Sequence, residues 1–353
     1  MKLQSWFQAV RPLRFTPAGA LLLTGLLAGL QLTPAACGQT CGQCAISEAL
    51  PSQPVSAAEW SFTKEVNEVN VIFVAMHGGK FIDDLSPNDV TLLDDKKPPA
   101  AILGFRTERE LPLRVGLVID TSDSVTTRFR FEQQGASAFL HQALRRERDQ
   151  AFVMGFSNSP KIEQDFVNDP KALSQAVKGL TVGGGTALYD AVVAGCQRLL
   201  ASSDRDMVAR VLVILSDGQN NAGTVGLNAA IEMAQQAQVV IYTVSTNYQY
   251  PGDFEDWDAT QGNQNLRRLA EETGGKMFKP PVAKEVGKAF AKVAEELRSR
   301  YAIAYRPADF RADGHYRKIT IAAHRMGENL KIRARKGYYA KLVTLANNKP
   351  WQQ

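Results

Sequence analysis

Five side chains of this 353-residue sequence could hold one hard cation. Asp120, Ser122 and Ser124 alternate directly after an apolar run at 115–119. Thr186 follows the three glycines Gly183, Gly184 and Gly185, and Asp217 comes just after a second apolar run at 211–215. Carboxylates and hydroxyls without His or Cys favour Mg²⁺, Mn²⁺ or Ca²⁺ over Zn²⁺ or Cu²⁺, and Mg²⁺ keeps positions open to water or to a partner. A polar run after a strand is by itself ordinary turn chemistry. What lifts this pattern above that reading is three separate segments, each at a strand end or a glycine-rich turn.

The elements that must position these residues follow from hydrophobic periodicity. Strands are expected over 114–119, 150–156, 211–215 and 239–244, with a short edge strand over 162–166. Helices are expected over 129–144, 172–180, 187–200, 227–237, 266–273 and 285–300. Such alternation predicts a doubly wound, mostly parallel α/β sheet with helices on both faces, whose ligands sit outside the carboxyl ends of the strands. β-like segments flank it, at 66–75 and 90–93 before, with 103–106 leading into its first strand, and at 301–305, 315–323 and 329–334 after. Neither flank has enough strands to bury a core alone, so the two are expected to pair into one small β-sandwich into which the α/β domain is inserted. The boundaries read as 62–110 and 301–342 for the sandwich halves and 111–300 for the inserted domain.

The order Asp-x-Ser-x-Ser, then Thr in a glycine turn, then Asp-Gly after a strand, resembles the metal-ion-dependent adhesion site of von Willebrand factor type A domains. All five positions of that site are filled, by Asp120, Ser122, Ser124, Thr186 and Asp217. Asp123 stands where the family usually has Gly, adding a carboxylate that either caps the following turn or lies beside the ion. The stretches Tyr316-Arg317-Lys318-Ile319 and Arg333 to Tyr339 also resemble exported bacterial proteins related to this family and abundant in Acidobacteria. The resemblance implies that Ser122, Ser124 and sometimes Thr186 touch Mg²⁺ (or Mn²⁺ or Ca²⁺) directly. Asp120 and Asp217 would act largely through water, and an Asp or Glu of a protein or peptide partner would complete the coordination.

Other chemistries lack their central parts. No His-Glu-x-x-His, Gly-x-Ser-x-Gly or Gly-x4-Gly-Lys-Ser/Thr motif occurs, against zinc protease, esterase-like and P-loop readings. His77, His141, His315 and His324 have no metal-ligand spacing. A metal can polarise a substrate, but this pattern supplies no general base beyond its ligands. A non-enzymatic binding module is therefore expected; the alternatives are a scaffold with a purely structural metal site and a metal-dependent hydrolase. The formal charge of +5 is small, and the one basic cluster, 331–336, reads as the polar face of a strand rather than a nucleic-acid patch.

The first 36 residues have the layout of a secretory signal: Lys2, Arg11 and Arg14, an apolar core at 18–30, then Pro34-Ala35-Ala36. Export to periplasm, cell envelope or exterior is expected, with contact to a membrane only through an uncleaved anchor or a lipid on Cys37. Cys37, Cys41 and Cys44 share the spacing of an iron–sulfur motif, which an oxidising compartment disfavours. A Ser/Pro/Ala-rich linker runs to 61, and a tail covers 343–353. Cys196 reads as a buried small hydrophobe. Finally, 247–262 is a long connection after a strand end, combining Tyr248, Tyr250, Phe254 and Trp257 with acidic residues, and is the candidate partner-binding loop together with Asp123.

Overall fold

A computed structural model of the chain describes residues 68–107, 111–145, 147–202, 208–248, 257–325 and 327–340. The segments read as signal, linker and tail, with Cys37, Cys41 and Cys44, lie outside them. β1 (Val69–His77) and β2 (Lys80–Ile82) form a hairpin whose turn residues, Gly78 and Gly79, both take positive φ, the backbone that matches strand twist. β3 (Val90–Asp94) and β4 (Ala101–Thr107) follow. Next come β5 (Leu113–Asp120), α1 (Phe129–Ala143), β6 (Gln150–Phe156), β7 (Pro160–Val167), α2 (Pro170–Gly179), α3 (Leu188–Leu200), β8 (Ala209–Ser216), α4 (Leu227–Gln236), β9 (Val239–Ser245), α5 (Trp257–Thr273), β10 (Met277–Phe278) and α6 (Val286–Glu296). The described chain closes with β11 (Arg300–Arg306), β12 (Tyr316–Arg325), β13 (Glu328–Asn329), β14 (Lys331–Ala334) and β15 (Gly337–Tyr339).

The central sheet has the order β10-β9-β8-β5-β6-β7. All its neighbours are parallel except β6 and β7. β5, β8 and β9 are buried almost throughout, which is why they read as continuous aliphatic runs rather than alternating ones. α1, α2 and α6 cover one face of the sheet, and α3, α4 and α5 the other.

Two antiparallel sheets join the flanks. One runs β14-β1-β11-β4 with β2 on β1, and the other β13-β12-β15 with β3 on β12. β1 pairs with β11 from Val69↔Tyr305 to Val74↔Arg300, and β3 with β12 from Asp94↔Ile319 to Val90↔Ala323. Alternate residues of each strand face inward: Val69, Val71 and Phe73 with Tyr301, Ile303 and Tyr305, against Leu92, Ile319 and Tyr338. Within this core Asp94 Oδ2 accepts the Tyr305 and Tyr338 hydroxyls, each at 2.9 Å, so the buried carboxylate is satisfied. The chain thus folds as a doubly wound α/β sheet inserted in a β-sandwich built from both flanks.

Four local expectations need correction. α5 starts at Trp257, nine residues before the helix read from periodicity, because its first half packs through Gly262 and Asn263 rather than through large apolar groups. α6 ends at Glu296, and Arg300 already pairs with Val74. The 329–334 strand divides, since β13 bonds to β12 whereas β14 bonds to β1. The basic cluster divides too. Lys331 and Lys336 are exposed, but Arg335 is buried, donating to Gln235 O at 3.0 Å and Asn70 O at 2.8 Å, and Arg333 pairs with Glu296.

Candidate metal centre

Adjacent parallel strands bring the first and last segments together. Ile119 and Leu215 are register partners, so Asp120 and Ser216 leave the sheet side by side. Ser216 Oγ donates to Asp120 Oδ2 at 2.7 Å, and the Ser122 amide donates to Asp120 Oδ1 at 3.0 Å. The Oγ atoms of Ser122 and Ser124 lie 3.0 Å apart, and Ser124 Oγ donates to Asp217 Oδ2 at 2.9 Å. Four of the five expected oxygen donors therefore form one connected cluster. Asp120, Ser122 and Asp217 are buried, while Ser124 is exposed at the lip.

The glycine-rich turn is laced to the same cluster through its backbone. Gly183 N donates to Thr121 O at 2.8 Å and Asp123 N to Gly184 O at 3.1 Å, while Gly185 N and Thr186 N donate to the side chains of Asn158 and Asn221 at 2.8 and 2.7 Å. Thr186 is buried beside it. Asp123 itself is exposed; its carbonyl, not its carboxylate, accepts the Thr126 hydroxyl.

The donor set suits a hard divalent ion. Burial, and secondarily the charge of Asp217, push Asp120 up to about 6, against the lowering pull of bonds from Ser122 and Ser216. The negative charge of Asp217 acting on buried Asp120 is one that a bound cation would offset. Among the described residues no group of three or more His, Cys, Asp or Glu could hold a metal, so an ion here depends on hydroxyls as well as carboxylates. That is Mg²⁺, Mn²⁺ or Ca²⁺ chemistry rather than zinc chemistry.

Several supporting residues carry little sequence signal. Asn247 Nδ2 donates to Asp217 O at 2.7 Å, and Ser245 Oγ donates to Asn263 Oδ1 at 2.6 Å. Gly218, at φ 83°, lies so close to α5 that a Cβ on it would overlap the Gly262 backbone, and a Cβ on Gly262 would overlap the Asp217 carbonyl. Their small polar types resemble any turn; only Gly218, following Asp217, could have been suspected of a positive φ.

Below the centre, the Tyr248 hydroxyl donates to Glu132 Oε1 at 3.2 Å, and the Arg128 guanidinium lies 5.4 Å from the Tyr248 ring centroid and 3.7 Å from Glu132. Tyr248 is thus packed back on the domain, whereas Trp257 is 74% exposed. Tyr250 and Phe254 lie outside the described residues.

The sequence model of the von Willebrand factor type A domain family matches residues 115–292. A curated relative, an uncharacterized protein of Synechocystis sp., is 31% identical over 118 residues, which are 33% of this chain and 27% of that protein's length; the chain spans only about a quarter of it. Among solved structures, a von Willebrand factor type A protein from Catenulispora acidiphila superposes with a TM-score of 0.45 at 11% identity, covering 74% of this chain and 76% of that one. The vWF domain of the type V pili tip protein Mfa5 from Porphyromonas gingivalis does so with a TM-score of 0.40 at 16% identity, covering 52% and 94%.

Proposed function

The chain belongs to the von Willebrand factor type A domain family, and from that premise we propose that it is a metal-ion-dependent binding module of the adhesion type rather than an enzyme. The family is often used for protein interaction and adhesion. The observation that carries the reading is the hydrogen-bonded cluster of Asp120, Ser122, Ser124 and Asp217 at the carboxyl ends of β5 and β8, where open α/β sheets take their ligands. Ser122, Ser124 and Thr186 would hold Mg²⁺ (or Mn²⁺ or Ca²⁺), with Asp120 and Asp217 supporting it from behind. When bound, the ion supplies an electrophilic position that a partner's Asp or Glu carboxylate can fill. Ser124, at the exposed lip, is where that carboxylate would approach. Beyond the carboxylates that would support the ion, the cluster contains no side chain placed as a general base, which favours recognition over hydrolysis.

The layout of the first 36 residues supports an exported protein acting on an envelope or extracellular partner. Among the described residues no helix is long and apolar enough to cross a membrane.

Calorimetric titration of the full chain with Mg²⁺ and Mn²⁺ tests the site. Asp217→Ala, and the pair Ser122→Ala with Ser124→Ala, are each expected to weaken binding at least about tenfold, roughly 1.4 kcal/mol. The fold should survive, because these residues sit in loops and their loss removes few apolar contacts. Unchanged affinity in both variants would sink the metal assignment. Pull-down from envelope extract with Mg²⁺ against chelator then tests the partner, and chelator-insensitive capture would leave the ion a structural role only.

A further inference from the structure

Away from the strand ends that carry Asp120 and Asp217, α4, α5, β12 and β15 line a cleft of about 570 Å³, a volume typical of ligand sites. Its walls are set by sequence periodicity. On α4, Asn228, Ile231, Glu232 and Gln235 recur at spacings of three and four and share one face, as do Arg268 and Glu272 on α5. Across from them, Tyr316 and Lys318 share one face of β12, in register with Tyr339 and Gly337 of β15. Helices that follow parallel strands run back toward the strand starts, so Gln235 and Glu272, at the C-terminal ends of α4 and α5, lie toward the opposite end of the sheet from the cation cluster.

The strand side of this cleft is an aromatic platform. Tyr316 is 41% exposed and meets Tyr339 edge-on, with ring centroids 5.2 Å apart and planes at 66°. Its ring crosses Gly337, where a Cβ would lie 2.5 Å from Cζ and 2.6 Å from the hydroxyl oxygen. Glycine at 337 therefore lets the ring lie along the strand pair. An exposed ring fixed in this way suits the apolar face of a flat ligand.

The polar groups narrow the class. Lys336 Nζ is 2.8 Å from Glu272 Oε1, and Arg268 donates to Asn228 Oδ1 at 2.9 Å. Arg268 and Lys318 have no carboxylate partner among the described residues. A purely apolar ligand would desolvate these cations without compensation. A small inorganic anion would leave Tyr316 unused. A pyranose ring carrying a carboxylate uses everything present: C–H groups over the phenol ring, hydroxyls toward the amide and carboxylate side chains, and its own charge on Arg268 and Lys318. We propose that this cleft binds an acidic, uronate-type saccharide, independently of the cation cluster.

The test titrates the full chain calorimetrically with trigalacturonate in excess chelator, because uronates also bind divalent ions and could reach Ser124 through one. Maltotriose and triglutamate serve as neutral-sugar and acidic-peptide probes. Trigalacturonate is expected to bind, with Tyr316→Ala and Lys318→Glu each weakening it at least about tenfold and Asp217→Ala leaving it unchanged. Both substituted side chains are at the cleft surface, and thermal unfolding identifies a variant that has lost its fold. No binding of trigalacturonate at millimolar concentration would overturn the proposal, as would full affinity in both cleft variants. Equal binding of maltotriose would remove the acidic specificity, and equal binding of triglutamate would make the cleft a peptide site; either result also overturns it.

Discussion

Glu132 is a buried carboxyl with one oxygen, Oε2, unpartnered among the described residues. Burial pushes it up to about 8, and the charges of Asp120 and Asp217 add to that, against the opposing pull of Arg128 and the Tyr248 hydroxyl. Because its folded value is raised above the ordinary 4.5, the folded state holds a proton that the unfolded chain releases. The associated stability is fully present below about pH 4.5 and is lost as pH rises through about 8. Glu132→Gln keeps the shape and removes the titration. Urea unfolding in chelator should therefore show the parent chain losing stability relative to this variant between pH 5 and pH 8, with a slope of at most about 1.4 kcal/mol per pH unit. Parallel pH profiles for the two would mean that Glu132 is ionised in the folded protein. The same cluster anchors Tyr248, the last described residue before 249–256, to α1.

At the scale of elements, the packing of α5 on the loop after β8 sets the back of the candidate metal centre. Gly262 lies in the second turn of α5 with its Cα facing Asp217 O, and Gly218 at φ 83° fits beneath it. Gly262→Ala should force this helix away from the loop, costing about 1–3 kcal/mol as over-packing does and weakening Mg²⁺ binding with it. Gly287→Ala, in α6, is the matched control. A Cβ there meets nothing within 4 Å, so helix propensity should leave that variant neutral or more stable by up to about 1 kcal/mol. Denaturant midpoints for the pair decide the matter: equal shifts would show that the contact with Asp217 is soft.

This contact also explains what could and could not be read from the sequence. The runs ending at Ile119 and Leu215 announced buried parallel strands, and with them the place of Asp120 and Asp217, because large aliphatic groups are what a doubly covered sheet requires. The first half of α5 packs against backbone, so its inward residues are Gly262 and Asn263, and no apolar period marks it. The connection read over 247–262 thereby takes in residues of α5, Trp257 among them. Asn158, Asn221 and Asn247 escape for a related reason: each fixes a turn through a side-chain amide, a role that leaves no spacing to detect. Arg335 reads as exposed because one buried arginine among exposed lysines has the same local pattern as a polar strand face.

For the whole molecule, the pairing of its two flanks makes a prediction that isolated elements do not. β11 supplies partners to both β1 and β4, and β12 to β3. A chain ending at Arg300 would leave Val71, Phe73 and Leu92 without Ile303, Tyr305 and Ile319 of the same core. It would also lose Arg335, which bonds α4 to β1 through Gln235 O and Asn70 O. The central sheet is less exposed to this loss, since among the described residues Ala302 is the one buried residue that the C-terminal flank adds to its two apolar clusters. Two and three strands deprived of their partners are marginal in water, so residues 68–107 should become a protease-sensitive arm while 113–296 persists as a resistant fragment that still binds Mg²⁺. Limited proteolysis followed by mass spectrometry is expected to show cleavage in 68–107 at least about tenfold faster than in the full chain, since cleavage follows the population of locally open states. Equal protection in both chains would mean that the N-terminal strands hold together without β11 and β12, and the sandwich would then be two independent pieces rather than one core closed by both ends of the fold.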